Sequence, residues 1–97
     1  MLIKREVLEG IRAGEITVQF RRWTRPSVKA GGTLKTRVGV LKIGRITEMS
    51  PAQVTLADAR RAGFADLDAF RKWLDTMKDG PLFHRIEIGW LGETPAG

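Results

Sequence analysis

Ile16-Thr17-Val18-Gln19-Phe20-Arg21-Arg22-Trp23 is the stretch on which the fold turns. Side chains on a β-strand alternate between two faces. That alternation puts Ile16, Val18 and Phe20 on one face, which reads as core. Thr17, Gln19 and Arg21 fall on the other, which reads as polar, and Trp23 shares its parity. Pro26 cannot extend a ladder and ends the strand. Residues 24–32 form a loop rich in turn formers, with Gly31-Gly32 as its sharpest turn signal.

On the N-terminal side, Ile3, Val7, Leu8 and Ile11 make one apolar stripe, which predicts a helix over about residues 3–13. Gly14 stands where a left-handed C-cap would end it. On the C-terminal side a β region runs over about residues 33–49. Gly39 and Gly44 mark a turn, bulge or bend within it, so one strand and two strands (33–37 and 39–48) fit equally.

The second half reads mainly as helix. Thr55 with Asp58 resembles an N-cap pair, and Gly63 stops the short helix that follows. Asp66 caps a helix over about 67–78 whose stripe is Leu67, Phe70, Trp73, Leu74 and Met77. After Gly80-Pro81 a last strand spans about 82–91, with His84, Ile86, Ile88 and Trp90 on one face and Arg85 and Glu87 on the other. Helices do not alternate regularly with strands, which argues against a doubly wound parallel sheet and for an α+β domain. Short strands with glycine bends predict a small, strongly curved sheet or barrel carrying the helices.

The 97 residues allow one domain, residues 1–92, followed by a flexible tail, 93–97. With no cysteine, there are no disulfides, thiolate metal sites or cysteine nucleophiles. A lone histidine, His84, suggests no metal site, and its parity with Ile86 and Ile88 makes it a structural residue. No apolar run approaches the roughly 18 residues of a membrane span. The early charges Lys4-Arg5-Glu6 leave no signal-peptide core, so the expected location is cytoplasmic. Oligomeric state is open.

Charge distribution says more than the net +6. Between Ile16 and Thr47 stand Arg21, Arg22, Arg25, Lys29, Lys35, Arg37, Lys42 and Arg45, with no acid among them. Solvated surfaces usually mix signs, so this segment favours a polyanion, with nucleic acid or a phosphate-bearing ligand ahead of anionic lipid.

Gly14-Glu15-Ile16-Thr17-Val18-Gln19-Phe20-Arg21 is similar to the signature Gly-x-Lys-x-x-Glu-x-Arg of ASCH domains, in the PUA-like superfamily. Val28-Lys29-Ala30-Gly31-Gly32 resembles that family's glycine turn. Ala62-Gly63-Phe64 leading to Asp68-Ala69-Phe70 resembles its helical segment, and Phe83-His84-Arg85-Ile86 its closing strand. The resemblance covers nearly the whole chain. It implies a PUA-like β-barrel with flanking helices and an RNA-binding cleft beside the signature strand; some members are amidohydrolases or ribonucleases. Ile16 stands at the signature lysine and Gln19 at the glutamate, while Gly14 and Arg21 remain. Isoleucine cannot serve as nucleophile or proton carrier, so a non-catalytic module without a cofactor is expected.

The candidate ligand residues are Thr17, Gln19, Arg21, Arg22, Trp23, Arg25, Lys29, Lys35 and Arg37. Arg21 offers paired donors to a phosphate, and Gln19 offers an acceptor and two donors to a base edge. Trp23 has a face on which a base can stack. Arg22, Arg25, Lys29, Lys35 and Arg37 would track a backbone electrostatically. The alternatives are a small hydrolase acting on a modified nucleoside or RNA, and a protein-interaction adaptor.

Overall fold

A computed structural model describes residues 3–77 and 80–93 of the chain. Its elements, in chain order, are α1 (Arg5–Arg12), β1 (Val18–Trp23), β2 (Thr33–Thr36), β3 (Gly39–Glu48), a 3-10 turn (Pro51–Gln53), α2 (Leu56–Arg61), α3 (Leu67–Asp75) and β4 (Leu82–Gly92). The β region around residue 39 thus resolves into two strands joined by a tight turn. The four strands form one sheet in the order β1-β4-β3-β2, each neighbouring pair antiparallel. Register shifts at Val40/Leu41 and Ile43/Ile46 bend the β3–β4 pair, since an unmatched residue raises local twist. The product is an α+β domain built on a curled half-barrel sheet, with β1 and β2 at its two ends.

Both faces of this sheet are covered. On one, Leu8 and Ile11 of α1 pack with Leu41 and Ile43 of β3 and Ile86 and Ile88 of β4. On the other, Val18, Phe20 and Phe83 pack with Ala59, Ala62, Phe70 and Leu74 of the α2–α3 segment. Alternation along β4 feeds both cores, with Phe83 on one side and Ile86 and Ile88 on the other. Asp58 of α2 is held to Arg85 of β4 by two bonds, Nε to Oδ2 at 3.1 Å and Nη2 to Oδ1 at 3.2 Å, which fix α2 against the sheet. That is the paired geometry in which an arginine–carboxylate bridge is strongest.

Local sequence signals set the helix ends. Thr55 Oγ1 accepts from Asp58 N at 3.2 Å, and Asp66 Oδ1 accepts from Ala69 N at 2.8 Å. A side-chain cap of this type contributes about 1 kcal/mol. Gly14 and Gly63 follow α1 and α2 with φ of 81° and 98°, the conformation in which a Cβ is unfavourable. α3 stops at Asp75, earlier than the stripe predicts, where Thr76 Oγ1 donates to the Trp73 carbonyl at 2.6 Å. Residue 78, the expected helix end, lies outside the described residues, as do residues 94–97 of the expected tail. Glu93 is described and pairs with Arg12 at 3.3 Å.

Ile16 departs from the expected pattern. Simple alternation groups it with Val18 and Phe20, but it joins the opposite core with Leu8 and Ile11. The ladder begins only at Val18, and before it the N–H groups of Glu15 and Ile16 both bond to the Gly10 carbonyl, at 2.9 and 3.1 Å. The turn therefore rotates Ile16 onto α1. Gly10 permits this approach, because a Cβ there would lie 2.5 Å from Ile16 Cδ1.

Candidate functional site

β1 is an end strand with a helical layer on each side of it. At that edge the layers part around a cleft of about 450 Å³. Ile16, Gln19, Phe20 and Arg21 line it from β1 and the turn before it. Lys4, Glu6 and Val7 contribute from α1 and its N-cap. Ala62, Gly63 and Phe64 line it from the α2–α3 connection, and Trp73 and Met77 from α3 and just beyond. The volume lies in the range of small-molecule sites, and apolar walls with a few polar groups are their usual make-up.

Gln19 is buried, at 6% exposure, although its strand parity had suggested a solvent face. Its Nε2 donates to the Val18 carbonyl at 2.8 Å and to the Ala62 carbonyl at 3.3 Å. The second bond ties β1 to the end of α2. Both partners are acceptors, so the amide nitrogen must face them, and this fixes the side-chain orientation. Nothing among the described residues donates to Oε1, and no buried side-chain oxygen is left unsatisfied. Oε1 therefore keeps some contact with solvent, and Gln19 lines the cleft, which makes it the candidate acceptor there.

Arg21 is half-buried on the same strand, and its Nη1 donates to the Phe20 carbonyl at 2.7 Å. Burial pulls its pKa down from the ordinary arginine value. The same desolvation reduces the screening of its charge, so an anion entering the cleft meets a stronger attraction than at an open surface. Lys4 adds a second cation and Glu6 an anion, both exposed at the margin.

Phe64 and Trp73 form an aromatic wall. Their ring centroids are 5.3 Å apart, and both rest on Phe70, at 5.6 and 6.0 Å. Sequence reading assigned Trp73 to the core stripe. It is half-buried and lines the cleft because it lies at the boundary of that stripe. Phe64 is not among the candidate ligand residues read from the sequence; its signals there are its place directly after Gly63 and its part in the Ala62-Gly63-Phe64 resemblance.

The other sequence candidates lie apart from this cleft. Thr17 is exposed and lines a separate hollow with Lys42, Arg61 and Arg85. Arg22 borders another beside Glu48, Ser50 and Pro81. Trp23 is half-buried, and its Nε1 donates to His84 Nδ1 at 2.7 Å. That bond requires Nδ1 to be the unprotonated ring nitrogen and gives His84 a structural partner. Arg25 and Lys29 stand exposed on the loop between β1 and β2. Lys35 and Arg37 border a third hollow at the N-terminus of α1. The acid-free segment therefore spreads its cations over several faces, and only Arg21 of them lines the Gln19 cleft.

Among the described residues, no cluster of three or more histidine or carboxylate side chains is placed to hold a metal ion, and no helix is long and apolar enough to cross a membrane. No protein-family model matches this chain, no curated protein matches it in sequence, and no solved structure matches it in fold.

Proposed function

We propose that this chain is a non-catalytic RNA- or nucleotide-binding module of ASCH/PUA-like type that receives a nucleobase in the Gln19–Arg21 cleft. The observation that carries the reading is the meeting of three groups in one hollow: a candidate amide acceptor, a partly desolvated guanidinium and an aromatic wall. A base needs a flat apolar surface and an edge partner, and the phosphate attached to it needs a cation. Gln19 Oε1 would accept from an exocyclic amine or ring N–H, Arg21 would hold a phosphate, and Phe64 and Trp73 would cover the ring.

Ile16 lines the same cleft at the position of the signature lysine. A hydrocarbon side chain there adds apolar wall and supplies no nucleophile, which supports binding over hydrolysis.

Equilibrium titration with short single-stranded RNA tests the proposal. If two or three phosphates are neutralised, affinity falls about tenfold as salt rises from about 50 to about 200 mM. Absence of measurable binding at the lower salt contradicts the proposal.

A further inference from the structure

Next to the cleft lies a second hollow, of about 330 Å³, that the base-binding reading does not use. Lys4 and Arg5 line it from the start of α1, and Lys35 and Arg37 line it from the end of β2 and the turn that follows. No carboxylate is among its lining residues that the structure describes. Two segments about thirty residues apart in sequence thus place four cations around one space. Lys4, the N-cap of α1, makes no side-chain cap bond, so the first N–H groups of the helix also point positive partial charge at its start. Like charges gathered this way repel one another, and an anion between them relieves that repulsion.

Ile3 and Lys4 line both the cleft and this hollow, so the two are neighbours sharing one wall. We infer that the hollow takes the phosphodiester adjoining the nucleotide whose base enters the Gln19–Arg21 cleft, so the ligand is single-stranded RNA of at least two nucleotides and not a free mononucleotide. This rests on the base-binding reading and extends it along the strand. Lys4 lines both spaces, and Arg5, Lys35 and Arg37 line the hollow alone. Such contacts set affinity and salt dependence, while Gln19 reads the base.

The test compares a mononucleotide with a dinucleotide of the same bases, on the intact chain and on the double variant Lys35→Gln/Arg37→Gln. Both side chains are exposed, and a thermal melt checks that the variant keeps its fold. The intact chain is expected to bind the dinucleotide about tenfold more tightly than the mononucleotide, and the variant to lose that gain. Equal affinity of the intact chain for the two ligands overturns the inference while leaving base binding in place. So does a variant that keeps the full gain, or one that loses binding to vesicles rich in anionic lipid but not to RNA. Failure of the intact chain to bind either ligand overturns the base-binding reading along with it. Lys4→Gln supplies a second reading at the shared wall and should weaken dinucleotide binding as well.

Discussion

Phe70→Ala is expected to lower the stability of the domain by about 3–5 kcal/mol, the usual range for emptying a buried aromatic site. Phe70 is 1% exposed and touches four rings: Phe20 at 5.3 Å, Phe64 at 5.6 Å, Trp73 at 6.0 Å and Phe83 at 6.2 Å. It joins the sheet to the helices on that face, and no neighbour can fill its place without leaving its own. Small domains hold about 5–15 kcal/mol in total, so a large share disappears with one side chain. The melting temperature should fall by more than about 12 °C for a domain of this size. Ligand affinity should fall too, because Phe64 and Trp73 stand on Phe70. Chemical denaturation checks the first effect, and a loss below about 1 kcal/mol would show that the aromatic cluster is not the core described here.

Arg21→Ala has the largest expected effect on binding. A hydrogen bond between a charged donor and a phosphate contributes about 1.5–3 kcal/mol, so affinity for short RNA should drop between about tenfold and a hundredfold. The partial burial of Arg21 moves the expectation toward the upper end, because water screens the pair less. Stability should change far less than affinity. Gln19→Leu is the complementary variant: it keeps side-chain bulk, removes the candidate acceptor and breaks the link to Ala62. It should weaken binding with a change in base preference, whereas Arg21→Ala should weaken all bases alike. Titration of the four homopolymeric RNAs against both variants measures the difference. Unchanged affinity in Arg21→Ala would remove the guanidinium from the site.

Much of the fold was legible residue by residue. The caps at Thr55 and Asp66, the helix stops at Gly14 and Gly63 and the strand, expected over Ile16–Trp23 and found over Val18–Trp23, follow from side-chain chemistry that acts over three or four positions. What lay beyond the sequence depends on the third dimension. Alternation gives Gln19 a polar face but does not say that a helical layer covers the neighbouring edge; in the folded chain Gln19 is buried and bonded to Ala62. Ile16 sits on the face opposite Val18 because the turn after α1, whose Glu15 and Ile16 N–H groups bond back to the Gly10 carbonyl, rotates the chain before the ladder starts. The acid-free segment reads as one positive field along the chain. Strand reversal sends Lys35 and Arg37 toward α1, Lys42 toward Thr17 and Arg22 toward Pro81. Trp73 was legible as apolar but not as a cleft wall, since a stripe does not reveal which of its margins meets open space.

Entry of a base into the cleft beside β1 is tested most directly by a nuclear magnetic resonance titration of the isotopically labelled chain with short single-stranded RNA. The expected result is saturable movement of the Gln19 side-chain amide, the backbone amides of residues 62–64 and the Trp73 indole, with one common dissociation constant. Saturable shifts confined to other surfaces, with those resonances unmoved, would contradict it.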